Sequence, residues 1–169
     1  AIQLPSSLEV SAAMSTELWT VESSSNLLFV DEVMKWARIR HVPYVDPNGN
    51  LLGIISHRDL LSMSLSSLLE CKGSARDRFM RNVKMSDCAR KDVVTISPSE
   101  PLGSAALLME RNQIGAVVVV EGRKLKGIVT QADLVRQWRG HEISGYAGRQ
   151  SEDSPQERPF PAAGPVSAR

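Results

Sequence analysis

The sequence predicts an α/β (α+β) protein made of two copies of one β-α-β-β-α unit. The prediction rests first on a repeat: GIISHRDL at 53–60 returns as GIVTQADL at 127–134. It rests second on periodicity, since each copy is preceded by one helix-period stretch and then two strand-period stretches. A unit of about 60 residues buries too little surface to stand alone, so the copies are expected to pack sheet to sheet.

Thr20-Val21 aligns with Thr95-Ile96, Met34 with Met109 and Ile39 with Ile114, all at a shift of 75 residues, whereas the motif shifts by 74. The lost residue falls in a turn, where VDPNGNLLG (Val45 to Gly53) aligns with VEGRKLKG (Val120 to Gly127). A structural repeat tolerates a length change at such a place.

The elements follow in order. A short strand ends in WTV in the first copy and VTI in the second, and a polar break follows, ESSSN or SPSEP. Helical stretches come next. One carries Val30, Val33, Met34 and Ala37 on a single face, and the other has Ala105, Leu108, Met109 and Asn112 at the matching positions. Two strands around a tight turn follow, HVPYV with LLGII and GAVVVV with LKGIV, the turns marked by Asn48-Gly49 and Glu121-Gly122. A second helix opens at the motif, as SHRDLLSMSLSSLLE and TQADLVRQW. The units are thus 8–72 and 83–139, joined by a link at 73–82 whose Arg76, Arg78 and Arg81 read as a solvated face. From 140 to 169, Pro155, Pro159, Pro161 and Pro165 sit among Ser, Gly and Ala, which predicts a flexible tail.

Composition narrows the function classes. Apolar residues at 42% and charged residues at 23% are those of a soluble globular protein. A net charge of +1 gives no polyanion-binding surface over the whole molecule. Arg76, Arg78, Arg81 and Lys84 have only Phe79 as an aromatic companion, so nucleic acid is not an expected partner. The apolar run AVVVV, Ala116 to Val120, is far too short to span a membrane, and the start of the chain lacks a signal-peptide pattern. Cys71 and Cys88 have neither metal nor redox spacing, and no N-x-[ST] sequon occurs, so the expected location is cytoplasmic. H-E-x-x-H, C-x-x-C, G-x-G-x-x-G and the P-loop are all missing. GRKLKG at 122–127 has P-loop glycine spacing but runs into Ile-Val and reads as a turn. The expectation is a protein that is not an enzyme and carries no metal or cofactor.

Ser56-x-x-Asp59 and Thr130-x-x-Asp133 allow two readings. One is helix capping, each motif sitting where a strand gives way to a helix. The other is a ligand site: a helix N-terminus with a hydroxyl donor favours phosphate, and a carboxylate with two acceptor oxygens suits a vicinal diol such as that of ribose. One residue can cap in the empty state and bind in the loaded one. Gly53 and Gly127, three residues upstream, permit the close approach of a backbone or a ligand.

Two β-α-β-β-α units, each ending G-h-h-[ST]-x-x-D-L, resemble a tandem pair of CBS domains, the module first recognised in cystathionine β-synthase. The likeness covers about Leu8 to Trp138. It implies one body with pseudo-two-fold symmetry and two related clefts for AMP, ADP, ATP or S-adenosylmethionine, in a regulatory, energy-sensing role. By this resemblance the aspartate holds ribose, the hydroxyl lies near phosphate, and the other repeat supplies the far wall. One cleft would then comprise Ser56 and Asp59 with Thr95, Ile114, Gly115 and Ala116, and the other Thr130 and Asp133 with Thr20, Ile39, Arg40 and His41. Gly115 and Ala116 leave room for a purine, whereas Arg40 and His41 are phosphate ligands, a partial plug or an exposed strand entrance. Arg58 is either a phosphate ligand or a solvated helix residue, and His57 reads as surface. Beyond the adenosine nucleotide, the implied partners are an unknown protein target and a second copy of the chain. The second copy is expected because Leu27 to Ile39 and Leu60 to Leu69 hold more apolar residues than one stripe needs. The alternative function is a ligand-free dimerisation scaffold.

Overall fold

The computed structural model describes residues 8–68, 74–142 and 166–167, with side-chain environments at 8–63 and 77–139. Along the chain come α1 (Val10–Ala13), β1 (Glu17–Leu18), α2 (Leu27–Trp36), β2 (His41–Val45), β3 (Leu51–Ser56), α3 (His57–Leu68) and α4 (Ser74–Asn82). They are followed by α5 (Met85–Cys88), β4 (Thr95–Ile96), α6 (Leu102–Asn112), β5 (Ala116–Glu121), β6 (Lys124–Thr130), α7 (Gln131–Glu142) and β7 (Val166–Ser167). Both predicted hairpins form, β2 with β3 and β5 with β6. Their turns place Gly49 and Gly122 at φ of 77° and 63°, the left-handed region where glycine costs least. In the first turn the Asp46 carboxylate also accepts from the Asn48 and Asn50 amides.

β4 pairs parallel with β5. In the first repeat the equivalent place is held by Val21 alone, bridged parallel to Tyr44. The predicted WTV strand is therefore reduced to one residue. α2 begins at Asn26, whose Oδ1 accepts from the Phe29 amide at 2.9 Å, and buries Leu27, Val30, Val33 and Met34. Its counterpart α6 buries Leu102, Ala105 and Met109, while Leu108 is half-buried and Asn112 exposed.

The repeats exchange segments. Ser15 bridges Ile128 and Arg90 bridges Ile54, each through a reciprocal pair of backbone hydrogen bonds of 2.9 to 3.0 Å. Val10 thus sits in the second repeat's core, beside Leu102, Val117 and Val129. Met80, Met85, Cys88 and Ala89 sit in the first, beside Leu27, Val42 and Ile55. The packing crosses the boundaries 8–72 and 83–139 read from the sequence. The link itself is mostly helix: α4 lies against α2 and α3, with Met80 fully buried and Arg78 and Arg81 exposed. A third cluster, containing Val45, Val118, Leu125 and Ile128, joins the two sheets. There Leu51 N donates to Arg123 O and Leu125 N to Gly49 O, a reciprocal pair that places the pseudo-two-fold axis between the hairpins. Burying each such aliphatic side chain contributes roughly 1.5–3 kcal/mol, so the shared core is what two small units gain by pairing.

α7 continues to Glu142, past the predicted boundary at 139. The predicted flexible tail otherwise lies outside the described residues, apart from β7, which pairs antiparallel with β1.

Candidate functional site

Each motif sits where the last strand of its hairpin turns into a helix. Ser56 N and Oγ both donate to Asp59 Oδ2, at 3.2 and 2.5 Å, and Asp59 N returns a bond of 3.2 Å to Ser56 Oγ. Thr130 repeats the pattern on Asp133 Oδ2, at 2.8 and 2.7 Å, with the return bond at 3.4 Å. The capping arrangement is therefore formed in both copies. One further N–H of each helix start is taken within its own repeat, by the residue just before the hairpin's first strand: His57 N donates to Arg40 O at 2.8 Å and Gln131 N to Gly115 O at 3.1 Å.

The other carboxylate oxygen has a different partner. Asp59 Oδ1 accepts from Arg90 Nε at 3.1 Å, and Asp133 Oδ1 from an Arg136 guanidinium nitrogen at 2.9 Å. The carboxylates are largely covered, with side-chain exposures of 18% and 6%, whereas the arginines are 62% and 72% exposed. Such pairs with exposed arginines contribute on the order of 0.2–1 kcal/mol.

The motif glycines serve the exchanged segments. A Cβ on Gly53 would stand 2.7 Å from Arg90 O and 3.1 Å from Ala89 Cβ, and one on Gly127 would stand 2.8 Å from both Ser15 O and Met14 Sδ. The close approach of a backbone that the sequence allowed occurs at both glycines.

Two cavities result. The first, about 570 Å³, is lined by Ser56, Arg58, Asp59, Ile114, Gly115 and Ala116 of the residues named from the sequence, together with Arg90, Asp92, Val93 and Val94. The second, about 520 Å³, is lined by Ile39, Arg40, His41, Thr130 and Asp133 of the residues named from the sequence, together with Glu17, Leu18, Trp19 and Arg136. Thr20 and Thr95 are not among the lining residues; the residues just before them are. Arg40, His41, Gly115 and Gln131 line both cavities. His57, read as surface, lines the first. The His41 ring lies 3.6 Å from where a Gly115 Cβ would be, so it forms the partition between the clefts. Burial, and then the charge of Arg40, lower its pKa, against a smaller opposing effect of Asp59. Cys88, outside both clefts, is pushed up to about 11 by burial and then by Asp87, which makes it a poor nucleophile.

A family model for the CBS domain matches residues 9–66 and 85–140. The chain belongs to the CBS domain family. A CBS domain-containing protein of Dictyostelium discoideum is 32% identical over 127 residues, 75% of this chain and 88% of the relative. A homoserine O-acetyltransferase of Methanococcoides burtonii is 30% identical over 128 residues, but the match spans only 23% of that longer protein. Among solved structures, a Vibrio cholerae protein assigned to acetoin utilization superposes with a TM-score of 0.70 at 30% identity, covering 80% of this chain and 94% of that one. A CBS domain pair solved with 5′-methylthioadenosine and S-adenosylmethionine superposes with a TM-score of 0.65 at 26% identity, covering 80% and 98%. No helix among the described residues is long and apolar enough to cross a membrane.

Within this CBS pair, three consecutive lining residues of each cleft that sequence reasoning missed obey the repeat. Glu17, Leu18 and Trp19 in one cleft stand at the same 75-residue shift from Asp92, Val93 and Val94 in the other. The 75-residue shift that aligned Thr20 with Thr95 was the signal that could have found them.

Proposed function

We propose that this CBS pair is a regulatory module that binds adenosine compounds in its two clefts and passes the loaded state to a protein partner. The observation that carries the reading is a pair of cavities of about 570 and 520 Å³, each containing a motif aspartate beside an arginine. Both volumes suit a small-molecule site. A carboxylate accepts from a ribose diol, and Arg40, Arg58, Arg90 and Arg136 supply cations for phosphate. Gly115 and Ala116 leave space for a purine in the first cleft. Trp19, held edge-on to Trp36 with ring centroids 5.8 Å apart, offers an aromatic wall in the second. Further support comes from the adenosine compounds held by the CBS pair that is 26% identical. Our candidates are AMP, ADP, ATP and S-adenosylmethionine, acting as regulatory ligands rather than cofactors, in a cytoplasmic protein with no catalysis of its own.

The same reading includes a homodimer. Leu61 on α3 and Val135 on α7 are equivalent positions under the repeat, and they are 47% and 51% exposed. A two-fold contact through such a face would carry a change in the clefts to a second chain. The ligand acts only through its unequal affinity for the two arrangements.

A thermal-shift panel of AMP, ADP, ATP and S-adenosylmethionine tests the proposal. At about 100 times its dissociation constant, a ligand at one site adds about 2.7 kcal/mol. For a chain of this length that is a rise of about 5–10 °C. A flat panel, on protein freed of carried-over ligand, would favour the ligand-free scaffold instead.

A further inference from the structure

Each motif aspartate has a countable number of acceptor sites. A carboxylate oxygen offers two, so each side chain offers about four. Oδ2 of Asp59 takes two donors from Ser56, and Oδ2 of Asp133 takes two from Thr130. On each Oδ1 one site is taken by an arginine, Arg90 or Arg136. One site is left. A vicinal diol that donates both hydroxyls needs two, so it is fully accepted only when the arginine leaves.

The arginine that leaves remains in the same cavity, because Arg90 lines the first cleft and Arg136 the second. Both are mostly exposed and free to turn about their own side-chain bonds. A neutral nucleoside displaces this cation and gives it nothing in return. A nucleoside phosphate displaces it and then offers it a doubly charged acceptor, to which guanidinium geometry is well matched.

The two arginines come from unrelated positions. At the repeat's own shifts, Arg90 corresponds to Ser15 and Arg136 to Ser62. The same pairing is therefore reached twice by different routes, one from the segment after α5 and one from the next turn of α7. An accident of the repeat would have reproduced one residue at both places.

We infer that Arg90 and Arg136 are specificity-determining residues that make each cleft prefer a phosphorylated diol to a neutral one, by exchanging the aspartate for the ligand's phosphate. The inference rests on the adenosine-binding reading above and concerns which adenosine compounds are favoured.

Calorimetry with AMP and with adenosine tests it, on the wild type, on Arg90→Gln, on Arg136→Gln and on the double variant. Wild-type protein should bind AMP more tightly than adenosine. In the double variant AMP should weaken about tenfold, the loss of a hydrogen bond to a charged group. Adenosine should hold or tighten by up to about fivefold, the release of an exposed ion pair. Each single variant should change one class of site only. Arg90→Lys should keep most of the AMP preference, which guards against reading a folding defect as selectivity. If both ligands weaken by the same factor, or if the ratio between them does not move, the arginines are structural and the inference is overturned. If neither ligand binds the wild type, the functional reading fails before any variant is made and the inference fails with it. If AMP binds and its preference over adenosine does not respond to the arginines, the inference alone fails.

Discussion

Cleft one takes its arginine from a segment 31 residues away that belongs, by sequence, to the other repeat, whereas cleft two takes its arginine from one turn along its own helix. Around these arginines the two sites agree closely: the same cap on Oδ2, the same bond within the repeat to the first helical amide, and several lining positions at a fixed shift. Backbone geometry has stayed symmetric while the charges have not. The difference has a mechanical side. Arg90 is anchored by two main-chain bonds to Ile54 across the exchange, so its side chain is mounted on the joint between repeats, while that of Arg136 is mounted on α7 alone. Cleft one is the better placed of the two to report its occupancy to the rest of the molecule.

Substitution of the motif glycines should give the largest departure from symmetry. An added Cβ on Gly53 meets a main-chain oxygen and a second Cβ, neither of which moves easily. On Gly127 one of the close neighbours is the flexible tip of Met14. Gly53→Ala should therefore destabilise by about 1–3 kcal/mol in urea unfolding, with Gly127→Ala costing less. Equal losses would mean that the two exchanged segments are equally rigid.

Removing the caps should have a smaller and more even effect. Ser56→Ala and Thr130→Ala each lose a hydroxyl that bonds the aspartate and accepts its amide, at about 1 kcal/mol apiece in the same assay. A loss confined to one repeat would show that only one of the two caps contributes to stability.

The smallest effect belongs to the partition between the clefts. His41 has a lowered pKa in the fold, so the unfolded chain binds its proton first as pH falls. Its contribution is complete above the usual value of 6.5 and is lost as pH drops below it. Melting temperatures of the wild type and His41→Gln should run in parallel above that pH, with the wild type losing ground to the variant below it. Curves that stay parallel to pH 5 would show that the ring keeps access to water.

Much of this was legible before any coordinates, for a physical reason. Periodic apolar faces such as Val30, Val33 and Met34, and turn chemistry such as Asn48-Gly49, are local signals, and they gave the hairpins, the long helices and the repeat. The exchanged segments carry no such signal. α1 and α5 are four residues each, too short to show a period, and their buried Val10 and Met85 are recognisable only from what they pack against. Thr20 and Thr95 were assigned to the clefts by resemblance, but the cavity walls fall one and two residues earlier, on Trp19, Leu18, Val94 and Val93. Arg90 was invisible for a different reason: its partner is distant, and its counterpart in the other copy is a serine.

The central claim is that the two aspartates serve two separate adenosine sites. Titration calorimetry of AMP into the wild type, Asp59→Ala and Asp133→Ala tests it most directly. The account predicts two classes of site in the wild type and the loss of one, a different one, in each variant. Each lost bond to the carboxylate is worth about 1.5–3 kcal/mol, enough to weaken the affected site tenfold or more. Variants that remain folded and bind AMP as the wild type does would contradict the account, because the aspartates would then be helix caps and nothing more.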